Sequence, residues 1–103
     1  GGIPMRIWVY GDSPEWIRDI IKENIGSDDT VTGTSISAEI GSAFPQSGLI
    51  PAISAAIRRD IDLLLVSTFE LLGNTTKVEQ TIELFRSYNV SVRSVSSNGI
   101  NSS

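Results

Sequence analysis

Alternation of apolar and polar residues predicts where this chain forms strands and helices. Residues 5–10 alternate and are rich in β-branched and aromatic side chains, which is typical of a strand. Residues 63–66 are all aliphatic, a run too short for a solvent-facing helix and typical of a strand buried on both faces. We expect this run, inside a strand over residues 61–67, to lie at the centre of a sheet.

The other elements follow from helical spacing and from capping residues. Ser13 is a good N-cap and Pro14 suits the first helical position, so a helix is expected to begin there and to stop at Gly26. Ser47 is expected to cap a second helix over residues 48–59. The remaining predicted elements are an edge strand over 30–36, a mobile loop over 37–47, a helix over 75–88 and a last strand over 90–95.

Strands and helices alternate along the chain, which indicates a parallel sheet with right-handed crossovers. The predicted fold class is therefore α/β, with three layers and a mainly parallel sheet of about four strands flanked by helices. Residues 5–97 are expected to form one domain. Residues 1–4 are interpreted as a vector remnant before a natural start at Met5, and residues 98–103 as a frayed polar tail.

Composition narrows the chemistry that the chain offers. Its 103 residues include no Cys and no His, which excludes disulfides, thiolates and histidine-based acid–base chemistry. No apolar run approaches the roughly 20 residues that span a bilayer, so no membrane association is expected and the cytoplasm is the predicted compartment. The net charge is −4, and the nearest approach to a basic patch is Arg58-Arg59, beside Asp60. Any strong DNA affinity would have to come from another part of the protein.

Two interpretations of Ser13 stay open from the local sequence. It follows the first strand at a helix N-terminus, where backbone N–H groups and the helix dipole stabilise a bound phosphate. A serine in that place could act as a nucleophile if a base or nearby cations activate the reaction. The sequence Ser-Pro-Glu also fits an N-cap well, and the local sequence alone favours this second interpretation.

Asp12 offers a different alternative. An acidic residue at the end of a first parallel strand is also found in receiver domains, where a second acidic residue after the central strand helps to hold Mg²⁺. Here the central strand ends in Ser67-Thr68, and Glu70 is the only carboxylate nearby. Neither a Gly-x-Gly-x-x-Gly loop nor a P-loop occurs in the chain.

Four segments together resemble the serine recombinases, the resolvase/invertase family. Residues 62–74, DLLLVSTFELLGN, are similar to the family's central motif, an acidic residue and an aliphatic run followed by Asp-Arg-Leu-Gly-Arg. Residues 46–49 resemble its Arg-Pro-Gly-Leu element, and residues 89–95 resemble its Gly-Val-x-Val-Arg strand. Ser13, eight residues after Met5, matches the position of the family's nucleophilic serine. These segments occur in the family's order and at its spacing. Together they extend over nearly the whole chain.

The resemblance implies a mechanism and a set of partners. The family's serine attacks a DNA phosphodiester, which gives a phosphoserine link and a free 3′ hydroxyl, and strand exchange and religation follow. The family uses no metal or nucleotide cofactor, and arginines surround the phosphate because they are permanently charged bidentate donors. DNA binding and self-association are expected through further segments of a full-length protein. The domain alone is expected to be a monomer or a weak dimer with negligible DNA affinity.

This chain departs from the family pattern at the arginines. The position two residues before the serine is Gly11, the arginine of Arg-Pro-Gly-Leu is Gln46, and the two arginines of the central motif are Leu71 and Asn74. Glu70, directly before Leu71, keeps the acidic character of that motif. Removing one such donor typically costs about 3–4 kcal/mol of transition-state stabilisation. Strand cleavage would then require Arg6, Arg18 or a partner subunit to supply the missing charge.

Three functional hypotheses follow from the sequence. The chain is a recombinase domain that still cuts DNA through Ser13, or a degenerate member that serves assembly or regulation, or an unrelated α/β binding domain with the same topology. The order of the motifs favours the first two. An arginine within hydrogen-bonding reach of Ser13 would support cleavage, whereas a neighbourhood lined by carboxylates would support the degenerate member.

Overall fold

The computed structural model describes residues 4–37 and 47–95, which form four strands and three α-helices. The elements, in chain order, are β1 (Arg6–Gly11), α1 (Pro14–Asn24), β2 (Thr30–Ile36), a 3-10 turn (Ser47–Leu49), α2 (Ile50–Ile57), β3 (Leu63–Val66), a second 3-10 turn (Phe69–Leu72), α3 (Thr75–Arg86) and β4 (Ser91–Ser94). No helix among these residues is long and apolar enough to cross a membrane.

The strands form one parallel sheet in the order β2-β1-β3-β4. The two central strands pair in register, with Val9 opposite Leu65. The predicted α/β fold, the central position of β3 and the edge position of β2 are therefore confirmed. Every residue of β3 is buried, as its continuous aliphatic sequence predicted.

Helices cover both faces of the sheet, which gives three layers. Alternate strand residues point to opposite faces, so each strand contributes to two cores. On one face, strand residues such as Val9 and Leu65 belong to a core that includes Ile17 and Ile20 of α1. The core of the other face includes Tyr10, Leu64, Val66, three alanines of α2 and Phe85 of α3.

The start of α1 agrees with prediction, but its end differs slightly. Ser13 has extended backbone angles and its side chain accepts a hydrogen bond from the backbone N–H of Trp16, while Pro14 begins the helix. The helix ends at Asn24 because Ile25 is already extended and serves as the C-cap. Gly26 lies beyond it and donates its N–H to the Asp29 carboxylate, 3.2 Å away, so Gly26 is not the residue that stops the helix.

The start of α2 was predicted wrongly. Ser47 lies in the 3-10 turn and does not cap the helix; α2 begins only at Ile50, and its N-cap, Leu49, makes no side-chain capping bond. Pro51 lies in the first turn, where its fixed backbone angle suits a helix start, and this outweighs the capping tendency of Ser47. The helix also ends earlier than predicted, at Ile57, because Arg59 has a positive φ of 63°.

The last two elements are shorter than predicted. Helix α3 ends at Arg86, since the N–H groups of Tyr88 and Val90 both turn back to the Phe85 carbonyl. Asn89, between them, has a φ of 65°. Strand β4 is confined to Ser91–Ser94. The predictions for the vector remnant, the frayed tail and most of the mobile loop concern residues that lie outside the described ranges.

A close contact between β1 and β2 fixes the position of the edge strand. The indole ring of Trp8 lies over Gly33, and its Nε1 donates a hydrogen bond to Ser35 Oγ at 2.9 Å. A Cβ atom at position 33 would overlap this ring, so glycine is required there. The pairing with β2 shifts by one residue between Ile7 and Trp8, which forms a bulge.

Candidate functional site

The candidate site lies at the carboxyl ends of the two central strands. Strand β1 leads into α1 on one face of the sheet, whereas β3 leads through its 3-10 turn to α3 on the opposite face. Chain segments that leave neighbouring strands in opposite directions create a crevice, and open α/β sheets bind ligands there. Residues 11–13 leave β1 at this edge, and the segment that begins at Ser67 leaves β3 there.

Asp12 and Ser67 join the two sides of the crevice. The hydroxyl of Ser67, which is buried, donates to Asp12 Oδ1 at 3.0 Å. Asp12 itself is exposed to solvent. This bond links the end of β1 to the end of β3, and it occupies the place where an acidic pair would have to stand in a receiver-like magnesium site.

Ser13 is half-buried beside this bond and serves as the N-cap of α1. Its Oγ lies 3.2 Å from the backbone nitrogen of Trp16, and it is the acceptor. The cap interpretation of Ser13 is therefore confirmed as a structural role. The same geometry leaves the hydroxyl hydrogen free to be donated, so capping by itself does not exclude nucleophilic attack.

A groove of about 300 Å³ runs from Ser13 along α1 to the end of β4. Its wall carries three carboxylates, Glu15, Asp19 and Glu23, and the partly exposed ring of Trp16. Among the residues that the structure describes, no arginine or lysine lines this groove. The groove that opens beside Ser13 is therefore acidic along the length of α1.

Gly11 occupies a tightly packed place at the end of β1. It is buried, and a Cβ atom there would lie 2.9 Å from Cγ1 of Ile17 in α1. Any larger side chain would require the Ile17 side chain to shift. Packing against α1 therefore accounts for the glycine at this position.

The residues after β3 have structural roles of their own. Thr68 caps the 3-10 turn by accepting from the N–H of Glu70, and Asn74 caps α3 by accepting from the N–H of Lys77 at 2.9 Å. Leu71 is half-buried and packs against the core that α2 and α3 cover. Glu70 is exposed. All of these residues follow β3 and so belong to the same edge as Ser13, while Gln46 lies outside the described residues.

Arg6 is held at the opposite edge of the sheet. Its guanidinium contacts both carboxylate oxygens of Asp62 at 3.2 Å, and its backbone N–H donates to the same carboxylate. The side-chain hydrogen bond from Arg6 holds the pKa of Asp62 below its usual value, and the same bond raises the pKa of Arg6. Arg6 begins β1, so a strand rise of about 3.3 Å per residue places it roughly 20 Å from Ser13. It does not supply the missing charge.

No other arginine of the described ranges lines the groove beside Ser13 either. Arg58 pairs with Asp60, and Arg86 pairs with Glu83. Arg18 is exposed on α1 and does not line the groove beside Ser13. Within the described part of the chain, the only hydrogen bond that the Ser13 side chain makes is therefore with a backbone N–H.

A metal site is not formed by these residues. Across residues 4–37 and 47–95, no group of three or more carboxylates comes close enough to hold a metal ion. Sequence analysis named Asp12 and Ser67 separately but missed their hydrogen bond. Each of these two residues directly follows a predicted parallel strand, which was the available sign of their proximity. Only the strand order of the fold shows that these two strands are neighbours.

Comparison with solved structures identifies the fold. The C-terminal catalytic domain of ISC1926 TnpA, an IS607-like serine recombinase, superposes with a TM-score of 0.72 at 18% sequence identity, covering 87% of this chain and 68% of that one. The first ORF in transposon ISC1904 from Sulfolobus solfataricus P2 superposes with a TM-score of 0.58 at 10% identity, covering 87% of this chain and 65% of that one.

The chain thus spans about two thirds of the length of these two structures. No family model and no curated protein matches the sequence. The likeness is one of fold, carried by the parallel sheet and its flanking helices. The chain has a serine recombinase-like fold.

Proposed function

We propose that this chain is a recombinase-type domain that no longer cleaves DNA and acts through protein contacts, as an assembly or regulatory module. The observation that carries this proposal is the groove beside Ser13, which three carboxylates line and no cation of the described residues enters. The fold supports the recombinase part of the proposal, and the side chains around Ser13 support the loss of cleavage.

Electrostatics argue against phosphoryl transfer at this groove. Attack of a serine on a phosphodiester builds up negative charge on the phosphate oxygens, which catalysts balance with preorganised donors. A carboxylate near that charge opposes it instead of stabilising it. Glu15 and Asp19 both line the groove that Ser13 opens into. The site therefore repels the charge that it would have to stabilise.

The replaced arginine positions also have other roles in this fold. Asn74 caps α3, Leu71 packs against a core, and Gly11 leaves room for Ile17. Loss of one donor lowers the rate of a charge-building step by about 10²–10³-fold, so loss of two or more leaves little cleavage. These positions have been filled by residues that serve folding.

A second candidate is a recombinase domain that still cuts DNA through Ser13. It is favoured by one observation, the position of Ser13 after β1 and at the N-terminus of α1, at the same sheet edge as the segment that follows β3. Cleavage by this route would need arginines from a partner subunit. In either case, DNA binding and further self-association would come from other segments of a longer protein.

The test is a cleavage assay on the longest protein that the gene encodes. That protein is incubated with a supercoiled plasmid that carries the DNA flanking its own gene, and the products are run on a denaturing gel. We expect no covalent protein–DNA adduct and no plasmid relaxation. The matched variant Ser13→Ala should then behave like the wild type in this assay.

An adduct that forms with the wild-type protein and disappears in Ser13→Ala would overturn the proposal. It would establish the second candidate, a serine recombinase that works without the usual arginines. The conservative variant Ser13→Asp keeps the cap but not the nucleophile, so it separates a folding defect from a chemical one.

A further inference from the structure

The face of the sheet that α1 covers is left partly open. Helices α2 and α3 share the opposite face, whereas α1 is the only described helix on this one. Its buried side chains pack against β1 and β3. Ser91 and Arg93 of β4 pair with Leu63 and Leu65, so they point to the same face, and both are exposed. A groove therefore remains between α1 and β4.

This groove, about 300 Å³ in volume, has apolar side chains in its lining. Ile20 is buried, Val95 is partly buried, and the ring of Trp16 is 38% exposed. An exposed aromatic ring beside a groove is typical of a protein-binding surface, because aromatic residues are enriched in the cores of interfaces. We call the groove that these three residues line between α1 and β4 the α1 groove.

The wall of the α1 groove carries a row of carboxylates. Glu15, Asp19 and Glu23 line the groove, are exposed and follow one another at every fourth position. They therefore share one stripe of α1, with a rise of about 6 Å from each to the next. None of the three forms an ion pair within the described residues. Like charges at this spacing destabilise a helix, and a facing row of cations relieves their repulsion.

No segment of this chain supplies such a row of cations. All eight of its basic residues lie within the described ranges, and none of them lines the α1 groove. Arg93 lines a neighbouring cavity, which Asp29 also lines. Residues 38–46 and 96–103 contain neither lysine nor arginine. A second copy of the chain is also a poor counterpart, because it carries the same net charge of −4.

We propose that the α1 groove binds a basic amphipathic helix of a partner protein. Lysines or arginines at every fourth position of that helix face Glu15, Asp19 and Glu23. An adjacent apolar stripe of the same helix packs on Trp16 and Val95. The inference rests on the proposed function, since it names the protein contact through which the domain acts.

A helix suits the α1 groove better than an extended segment does. The groove lies on a face of the sheet, where backbone groups are already bonded to neighbouring strands, so it offers no edge for a further strand. A helix satisfies its own backbone hydrogen bonds and presents one stripe of side chains to the groove. The partner segment is therefore expected to be helical when bound.

The length of α1 limits the affinity of this contact. Its 11 residues span about 16 Å, so the partner helix contacts it over roughly three turns. A contact of this length buries less than the roughly 800 Å² per partner that is typical of stable complexes. We expect reversible binding in the micromolar range that weakens as the salt concentration rises, because salt screens exposed charges.

The experiment titrates the 103-residue chain into a fluorescein-labelled peptide of about 18 residues, long enough to form a helix along α1. The peptide carries a stripe of leucines with lysine at every fourth position beside it. The control peptide has glutamate in place of each lysine. Fluorescence anisotropy should show saturable binding of the lysine peptide and no binding of the glutamate peptide.

Two substitutions with the same change of charge separate docking in the groove from general attraction. Asp19→Lys reverses the middle carboxylate of the row, and Glu79→Lys reverses an exposed carboxylate of α3 that forms no ion pair within the described residues. We expect Asp19→Lys to raise the dissociation constant at least about fivefold. The matched control Glu79→Lys should raise it less than about twofold, since its charge is distant and screened. Circular dichroism checks that both variants are folded.

Trp16 reports where the peptide binds. Docking should shift the tryptophan emission of the chain to shorter wavelengths, because the exposed ring of Trp16 leaves water. Trp16→Phe should abolish this shift, although Trp8 is still present in that variant. The emission therefore distinguishes binding in the α1 groove from binding elsewhere on the molecule.

Failure of the wild-type chain to bind the lysine peptide would overturn the proposal, as would equal weakening by Asp19→Lys and Glu79→Lys. Binding without a change in tryptophan emission would also overturn it. An emission shift caused by raising the concentration of the chain alone would identify a second copy as the occupant, again against the proposal. No DNA is present in these titrations, so their failure leaves the cleavage result unchanged. A Ser13-dependent adduct in the cleavage assay would instead overturn the proposed function.

Discussion

Ser13 combines two properties that a sequence cannot separate. Its extended backbone and its bond to the Trp16 N–H are those of a helix cap, and its place after β1 is the one for which the sequence resemblance predicts a nucleophile. Which of these matters depends on the side chains around it. Here those side chains are carboxylates, and the cap is the role that the geometry accounts for completely.

The cap role of Ser13 predicts a stability change. Ser13→Ala should lower the free energy of unfolding by about 1 kcal/mol, because the Trp16 N–H loses its acceptor. Ser13→Asp should restore most of this loss, since a carboxylate also caps and favours the positive end of the helix dipole. Urea unfolding of the three proteins measures both changes. Equal stability of Ser13→Ala and the wild type would contradict the cap role.

The ion pair of Arg6 and Asp62 predicts a dependence of stability on pH. Because the folded state lowers the pKa of Asp62, the pair stabilises the fold above the unfolded value of about 3.9. This contribution is lost as the pH falls through the lower, folded pKa. At pH 7, Asp62→Asn should therefore be less stable than the wild type, and the difference should shrink below about pH 4.

The measurement for this ion pair is urea unfolding of both proteins from pH 7 to about pH 2.5. The matched control is Asp28→Asn, which removes one negative charge at an exposed turn position that forms no ion pair within the described residues. Its difference from the wild type should vary much less with pH. A difference for Asp62→Asn that stays constant down to the lowest pH would contradict the shifted pKa.

Single residues also mark the limit of sequence-based prediction. The positions of Ser13, Glu70, Leu71 and Asn74 at one sheet edge could be anticipated, because the carboxyl ends of parallel strands share an edge. The bond between Asp12 and Ser67 could not, since it depends on β1 and β3 being adjacent. Strand order is a property of the whole fold, and no local pattern encodes it.

At the scale of elements, prediction succeeded where one signal dominated. The aliphatic run of β3 and the Ser-Pro start of α1 each had a single strong determinant, and both were placed correctly. The start of α2 had two competing determinants, Ser47 and Pro51, and the helix begins where Pro51 favours it. Helix ends were less predictable because carbonyls such as that of Phe85 can be satisfied by several following N–H groups.

The contact of Trp8 with Gly33 makes the joining of β1 and β2 sensitive to one methyl group. Gly33→Ala should destabilise the fold by about 1–3 kcal/mol, because the new Cβ overlaps the indole ring, which must then leave its place and its hydrogen bond to Ser35. The double variant Trp8→Leu with Gly33→Ala should lose less stability than the sum of the two single changes.

Thermal unfolding and tryptophan fluorescence measure this effect. Gly26→Ala is the matched control, because a Cβ there would meet only the Asp29 side chain, at 3.2 Å. It should alter the melting temperature less than Gly33→Ala does. A Gly33→Ala protein as stable as the wild type would show that the ring moves freely, against the packing described here.

At the scale of the whole molecule, charge sets what the domain can bind alone. A net charge of −4 disfavours binding to a phosphate backbone, and three of the eight basic residues, Arg6, Arg58 and Arg86, also pair with carboxylates. We expect this chain to bind duplex DNA with a dissociation constant weaker than about 10⁻⁴ M at physiological salt. Fluorescence anisotropy with a labelled duplex measures it, and submicromolar binding would contradict the expectation.

The parallel sheet also governs when the chain can fold. Arg6 and Asp62, which open the two central strands, are 56 residues apart, so their pairing closes a long loop before any contact in the centre of the sheet is gained. Long-range pairing of this kind slows folding compared with a helical bundle of the same size. On the ribosome, β1 emerges first and waits without its central partner until β3 has been synthesised. A nascent or truncated chain that ends before Leu63 leaves one edge of β1 without the strand that pairs with it.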